Sequence, residues 1–161
     1  MKSVVRKAIK SDAASILSLI EELAIFEKEP EAVIVTKAQI EKDGFGDRAL
    51  FECFVAEVEG KVVGIALFYP RYSTWKGPTF HLEDLIVTEK MKGNGIGTQL
   101  YNAFLQHAYQ AGVKRVEWAV LDWNLPAIAF YKKSSAVVLD DWITVQMDKK
   151  SIDHYILKIN S

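Results

Sequence analysis

The sequence predicts a single α/β domain, 1–161, built on a mixed, mostly antiparallel sheet of about six to seven strands with helices on both faces. Three observations support this fold class. Half of the 161 residues are hydrophobic, which suits one domain with its own core and argues against disorder. Short β-branched runs alternate with segments in which apolar residues recur at helical spacing. Three consecutive strands are followed by a helix and a further strand, and such a strand–helix–strand crossover is typical of an antiparallel sheet extended by a parallel strand.

The first third of the chain predicts one strand and two helices. Residues 4–9 are rich in β-branched side chains and form a short strand. Apolar residues then recur at helical spacing up to about Glu27, and Pro30 ends this helix because proline cannot continue one. Thr36 is a suitable N-cap for a second, short helix, which stops near Gly44.

The rest of the chain predicts further strands and helices. The strands are short apolar runs between turn residues, at 51–57, 62–69, 80–87, 113–120, 142–147 and 155–157. The helices have apolar residues at helical spacing, at 95–110 and 124–133. Residues 70–78, which are rich in aromatic side chains, are expected to form a loop.

Charge, cysteine and histidine content exclude several classes of function. The 20 basic and 21 acidic residues nearly cancel, whereas nucleic-acid binding needs a basic excess or stripe. The lone Cys53 lies in an apolar run, and a buried thiol of this kind fits a cytoplasmic, reducing setting. No signal segment or membrane-spanning run is found, so no membrane partner is expected. His81, His107 and His154 are not at ligand spacing, and no metal is inferred.

The stretch 82–105 combines a strand, a glycine-rich loop and a helix, an arrangement that suits an anion. Glycines let backbone N–H groups approach a phosphate, and the start of a helix adds partial positive charge. We therefore expect an anion over residues 93–98. Gly93, Gly95 and Gly97 alternate, unlike the dinucleotide fingerprint, and the lysine of a P-loop is missing before Thr98. A strand-to-helix turn without any ligand stays open at this point.

The loop resembles the Gln/Arg-x-x-Gly-x-Gly/Ala loop of the GNAT acetyltransferases, with Lys92, Gly95 and Gly97 in the named positions. Lys92 replaces glutamine or arginine, which keeps a positive charge but loses the bidentate fork. Other stretches resemble the spermidine/spermine (diamine) N-acetyltransferase branch, at 22–27, 43–46, 82–84, 122–124 and 130–132. Residues 72–77 and 120–124 are similar to its thialysine Nε-acetyltransferase members. Ser73 stands where polyamine enzymes carry an acid, which argues against long polyamines.

The resemblance implies the GNAT fold and acetyl-coenzyme A as co-substrate. The diphosphate would lie on the glycine loop, and the pantetheine arm would pair with a strand edge as an extended peptide does. The expected coenzyme-binding residues are Leu85, Ile86, Val87, Lys92, Gly93, Asn94, Gly95, Ile96, Gly97, Thr98 and Asn124. Asn124 also stands where it can cap a helix.

Acetyl transfer to an amine needs a base for the ammonium and an acid for the departing thiolate. Glu83, on the central strand, is the candidate base, with an exposed acid paired to a lysine as the alternative. Tyr131 is the candidate acid because a phenol stays protonated at neutral pH and can donate to sulfur, with simple packing on a helix as the alternative. Asp84 is expected on the opposite face of the strand from Glu83, in a structural role.

The resemblance also implies an acceptor site that contains Phe26, Glu27, Glu83 and Trp75. Glu27 suits a second positive group, or is a solvated acid at a helix end; Trp75 offers a cation–π wall or packs its loop. The expected activity is direct acetyl transfer to a primary amine of a small molecule, namely a diamine or polyamine or a lysine-like amino acid such as thialysine. A protein or peptide acceptor and a coenzyme-binding module without turnover stay open. Because members of this branch form dimers, the resemblance implies that this chain forms a homodimer.

Overall fold

The computed structural model describes residues 2–160, which divide into two compact units with the boundary between Ala119 and Val120. Within the described residues, all strands of the sheet belong to the first unit. The first unit also contains three α-helices, and the second contains two.

The sheet of the first unit has five strands that lie in sequence order. They are β1 (Val4–Lys7), β2 (Glu52–Val58), β3 (Lys61–Ser73), β4 (Gly77–Val87) and β5 (Val116–Glu117). The first four pair antiparallel, and β5 lies parallel to β4. The predicted mixed, mostly antiparallel sheet is therefore confirmed, with five strands in the described residues rather than six or seven.

Helices cover both faces of this sheet, as predicted. The three helices of the unit are α1 (Ala13–Phe26), α2 (Lys37–Phe45) and α3 (Ile96–Ala111). On one face, Ile16 of α1 and Ile40 of α2 share a buried core with Ile65 of β3. On the other face, Phe104 of α3 and Phe68 of β3 are fully buried, with ring centroids 5.0 Å apart. The alternation of side chains along each strand supplies both cores.

Cys53 lies in the core between the sheet and α1, where it is a free, buried cysteine as predicted. Burial raises the pKa of its thiol, and the negative charges of Asp84 and Asp12 raise it further. A thiol that stays protonated is a poor nucleophile. Cys53 is therefore a packing residue.

The aromatic loop predicted at 70–78 is wrong, because β3 and β4 continue through it as a hairpin. Ser73 pairs with Gly77, which leaves only residues 74–76 for the turn. Because proline has no backbone N–H to donate, it is tolerated in a strand where one edge makes no hydrogen bonds to a neighbouring strand. Pro70 meets this condition, because in the described residues β2 pairs with β3 only as far as Phe68.

The two closing strands predicted in the second unit are also wrong. Its helices are α4 (Leu125–Lys133) and α5 (Lys149–Ile159). Residues 142–147 have no regular structure, and the segment 155–157 lies inside α5. Asp148 caps α5 by accepting a 2.7 Å hydrogen bond from the Ser151 N–H. Four apolar residues recur along α5 at helical spacing: Ile152, Tyr155, Ile156 and Ile159.

Candidate active site

A β-bulge in β4 positions the candidate base. In the ladder with β3, Leu67 pairs with Asp84 and Phe68 pairs with Leu82. Glu83 is therefore an extra residue that faces no partner on β3. Such a bulge interrupts the alternation of side chains along a strand.

As a result, Glu83 and Asp84 lie on the same face of the sheet. Asp84 shares the face of its cross-strand partner Leu67, whose side chain belongs to the core beneath α1. The Glu83 carboxylate contacts Tyr69 and His81, and Tyr69 is two residues beyond Leu67 on that face. The expectation that Asp84 lies opposite Glu83 is wrong, because the bulge adds one residue between the two paired positions.

Three carboxyl groups, those of Glu27, Glu83 and Asp84, form an acidic cluster at the C-terminal end of α1. Burial, and then the negative charges of Glu83 and Glu27, raise the pKa of Asp84 to about 7. Burial and the charge of Glu83 likewise raise the pKa of Glu27. Neighbouring negative charges attract a cation, and a carboxyl that titrates near neutrality can exchange a proton at working pH. The cluster is therefore suited to bind an ammonium group and to take up its proton.

Two side chains of the sheet hold the Glu83 carboxylate. Tyr69 Oη donates a 2.8 Å hydrogen bond to Glu83 Oε2, and His81 Nε2 lies 3.5 Å from the same oxygen. Burial, and then the hydrogen bond to Glu83, raise the pKa of Tyr69 to about 12, so the phenol keeps its proton near neutral pH. The Glu83 side chain is still 51% exposed, which leaves it accessible to an incoming amine.

The glycine loop has the backbone conformation that a phosphate site needs. Gly93 and Gly95 have φ angles of 78° and 74°, in the left-handed region that favours glycine. A Cβ atom on either residue would meet no atom within 4 Å, so the space beside the loop is open. Gly95 is the N-cap of α3 and supplies no side-chain cap to the N–H groups of Ile96, Gly97 and Thr98. The loop therefore fits the diphosphate expected from the sequence.

Two contacts tie this loop to the end of α1. Glu22 Oε1 accepts hydrogen bonds from the Thr88 hydroxyl, at 3.1 Å, and from the Glu89 N–H, at 2.8 Å. The Lys92 ammonium lies 2.5 Å from Glu89 Oε2 and 4.9 Å from the centre of the Phe26 ring. Lys92 thus stands between the expected coenzyme loop and the expected acceptor residue Phe26, which is 41% exposed.

The other loop residues stabilise the turn and the start of α3. The Asn94 side-chain amide donates to the carbonyl oxygens of Met91 and Lys92, at 3.0 and 3.2 Å. Ile96 is buried and anchors the first turn of α3, whereas Thr98 is exposed there. Thr98 can therefore reach an anion above the helix start.

The edge of β4 that faces β5 is open beyond His81. In the part of the chain that the structure describes, β5 pairs with β4 only at Phe80 and His81. Leu85, Ile86 and Val87 pair with β3 on their other side. An extended arm that carries amide groups can add to such an open edge.

The structure does not bring Trp75 to the acidic cluster. Trp75 lies in the turn of the β3–β4 hairpin and is 79% exposed. The stretch of β4 from Gly77 to Glu83 spans roughly 20 Å at the rise of a strand. A contact of Trp75 with the acceptor stays a prediction.

Asn124 and Tyr131 lie in the second unit. Asn124 Oδ1 accepts a 3.4 Å hydrogen bond from the Ala127 N–H and caps α4, which confirms the expected cap. Tyr131 lies on α4, partly buried, with its ring 5.5 Å from that of Phe130. The roles of Asn124 and Tyr131 toward the coenzyme stay predictions.

The sequence does not single out Tyr69 and His81, and it predicts the wrong face for Asp84. One signal was present, because two adjacent acids in an otherwise apolar strand break its pattern, as functional sites and bulges often do. The neighbours of Glu83 depend on strand register, however, which the sequence does not specify at a bulge.

Residues 2–160 contain no group of three His, Cys, Asp or Glu side chains that could hold a metal ion. None of the helices in this part of the chain combines the length and the apolar character that crossing a membrane requires.

Similarity to known proteins identifies the family. The family model described as Acetyltransferase (GNAT) family matches residues 14–135. Thialysine N-epsilon-acetyltransferase of Mus musculus is 35% identical over 159 residues, which are 92% of this chain and 94% of that protein. Spermidine/spermine N(1)-acetyltransferase-like protein 1 of Homo sapiens is 37% identical over 142 residues, which are 84% of this chain and 20% of that protein.

A solved structure shows the same fold. An integron cassette protein from V. cholerae superposes with a TM-score of 0.78 at 19% identity, over 97% of this chain and 98% of that one. The family model covers most of the chain, and the mouse relative matches nearly all of it. The chain therefore belongs to the GNAT family of acetyltransferases.

Proposed function

We propose that this enzyme transfers the acetyl group of acetyl-coenzyme A to a primary amine of a small molecule, either a diamine or a lysine-like amino acid such as thialysine. One observation carries the proposal. Glu27 of the acidic cluster directly follows Phe26, whose ring contacts Lys92 of the glycine loop. The carboxylates of the acidic cluster, which suit an amine, and the glycine loop, which suits a diphosphate, thus meet at the end of α1. The names of the mouse and human relatives support this class of acceptor.

Coenzyme binding rests on the glycine loop and the open edge of β4. Backbone N–H groups of residues 93–98 and the Lys92 ammonium hold the diphosphate. Backbone groups of Leu85, Ile86 and Val87 pair with the pantetheine arm, and Asn124 contacts its amides. The bound coenzyme supplies the acetyl thioester.

The acidic cluster prepares the amine. An alkyl ammonium with a pKa of about 10.4 has no free electron pair at neutral pH, so it must lose a proton before it can attack. Glu83 attracts the ammonium and accepts that proton, directly or through a water molecule. Glu27 holds a second positive group of the acceptor, which favours a diamine or a lysine-like side chain.

Tyr131 completes the reaction by donating its phenolic proton to the departing sulfur, and the proton that the nitrogen loses as the amide forms restores the phenol. The acetyl group passes directly from the thioester to the amine. No protein nucleophile is needed, and the one cysteine is a buried thiol whose raised pKa makes it a poor acyl carrier.

An assay of thiol release from acetyl-coenzyme A tests this function. The acceptor panel contains putrescine, spermidine, lysine, thialysine and a lysine-containing peptide. We expect release with a small amine, and a loss of about 100-fold or more in kcat for Glu83→Gln and Tyr131→Phe at unchanged coenzyme affinity. Tyr109→Phe, at a tyrosine that is 82% exposed, is the matched control and keeps full activity.

The outcomes of this assay are distinct. Tight coenzyme binding without thiol release from any amine would replace the proposal with a binding module. Release with the peptide alone would assign a protein acceptor. Full activity of Tyr131→Phe would remove Tyr131 from the mechanism.

We further propose that the two units act as one catalytic domain, which forms a homodimer in the cytoplasm. The family match at 14–135 crosses the boundary between the units, which supports one domain. Trp142, Ile143 and Val145 are 71–88% exposed, and apolar side chains exposed in this way suit a contact with a second copy. Light scattering should give twice the chain mass, and Ile143→Lys should halve it; a monomeric wild type would contradict the dimer.

A further inference from the structure

We propose that Tyr69 is a positioning residue, which fixes the Glu83 carboxylate so that one of its oxygens receives the proton of the acceptor amine. This inference rests on the proposed function. It assigns a role to a side chain on β3 that the sequence does not single out. Tyr69 acts only through Glu83.

The geometry supports this role in three ways. The bulge leaves Glu83 without a partner on β3, so the strand ladder alone does not fix this residue. The Tyr69 hydroxyl donates to Glu83 Oε2 at 2.8 Å. The Tyr69 ring is itself held, because it packs against the His81 ring with centroids 5.3 Å apart, and the two residues are cross-strand partners.

The chemistry requires such a support. A carboxylate that must accept a proton from a particular amine loses rate when it rotates freely, because proton transfer needs hydrogen-bond distance and alignment. Tyr69 occupies Oε2 and leaves Oε1 for the amine. The proton passes from the ammonium nitrogen to Glu83, and Tyr69 keeps its own proton throughout.

Several charged or titratable groups surround this pair. His81 of β4 lies 3.5 Å from Glu83 Oε2, and Asp84 and Glu27 interact with Glu83 electrostatically. The positive charge of Arg71 on β3 also acts on the Tyr69 phenol. A hydrogen bond donated to a carboxylate favours its ionised form. Loss of the Tyr69 donor therefore moves the acid limb of the kcat profile to higher pH.

A double-mutant cycle tests the proposal on the full chain with the best acceptor of the panel. Its variants are Tyr69→Phe, Glu83→Gln and the double variant, and Tyr109→Phe is the control for loss of a hydroxyl. We expect Tyr69→Phe to lower kcat by roughly 10- to 100-fold, the range for a hydrogen bond to a charged group, with unchanged coenzyme affinity. The double variant should be no slower than Glu83→Gln, because Tyr69 has no other route to the chemistry.

The results separate this inference from the proposed function. Additive losses, or a Tyr69→Phe enzyme with wild-type kcat and pH profile, would overturn the positioning role while leaving the acetyltransferase intact. A wild type without any turnover would contradict both. If Tyr69→Phe does not fold, NMR of ¹³C-labelled tyrosine in the wild type and in Glu83→Gln tests the contact instead. The pKa of Tyr69 should fall when its acceptor loses its charge, and an unchanged value would refute the contact.

Discussion

Lys92 must leave Glu89 before it can hold a diphosphate, and the variant Glu89→Gln measures the cost of that exchange. The two side chains are 45% and 77% exposed and meet at 2.5 Å. An exposed ion pair of this kind contributes about 0.2–1 kcal/mol. Its removal should therefore tighten coenzyme binding about 1.4- to 5-fold. Loss of a carboxylate that repels the diphosphate acts in the same direction. The substitution does not change the backbone N–H of residue 89, which donates a hydrogen bond to Glu22.

Isothermal titration of coenzyme A into the wild type and Glu89→Gln gives the two dissociation constants. The gain in coenzyme affinity of Glu89→Gln over the wild type should shrink as ionic strength rises to about 0.15 M and beyond, because salt screens exposed charges. Asp47→Asn, which removes one exposed carboxylate from the loop before β2, is the matched control and should leave the affinity unchanged. Equal or weaker binding by Glu89→Gln would refute the view that Glu89 competes with the coenzyme for Lys92.

Two further predictions concern the glycine loop and the acidic cluster. Gly95→Ala and Gly60→Ala each place an alanine at a left-handed φ, 74° and 76°, and each should cost about 1 kcal/mol of stability. Only Gly95→Ala should weaken coenzyme binding in titration calorimetry, because its methyl enters the open space beside the loop; an equal affinity of the two variants would contradict the loop's role. Because the pKa of Asp84 is raised from 3.8 to about 7, the native state holds that proton more tightly than the unfolded state, so stability falls as pH rises through this window. Asp84→Asn should flatten the fall of Tm between about pH 4 and pH 8 measured by thermal unfolding, and a wild-type slope in that variant would exclude the raised pKa.

Much of the first unit follows from the sequence, because its patterns are local. The glycines of the loop and the apolar residues of α3 predict the end of β4 at Val87 and both ends of α3 within one residue, whereas β4 begins three residues before the predicted start. The Glu59–Gly60 turn predicts the β2–β3 hairpin, and the N-cap at Thr36 is confirmed by a hydrogen bond from the Gln39 N–H. In each case a short run of residues contains the whole signal.

The errors arise where the structure depends on pairing between distant residues. The apolar run at 155–157 suits a strand and a helix equally, and in the described residues it pairs with no strand and belongs to α5. The strand predicted at 113–120 is reduced to Val116 and Glu117, because a strand extends only as far as its neighbour pairs with it.

The candidate site shows the same division. Glu83, Glu27 and Lys92 are found from short motifs, and the structure places Glu27 and Glu83 in one cluster. The bulge that turns Asp84 to the same face depends on the register of β3 and β4, so Tyr69, His81 and Asp84 could not be assigned from the sequence.

Mass spectrometry of the reaction products shows whether the enzyme acetylates a small amine and whether Glu83 takes part. The wild type and Glu83→Gln are incubated with acetyl-coenzyme A and an equimolar mixture of putrescine, thialysine and a lysine-containing peptide. We expect one of the two small amines to gain a single acetyl group on nitrogen with the wild type, at least about 100-fold faster than with Glu83→Gln. Acetylated peptide alone, no acetylated product, or equal rates for the two proteins would contradict it.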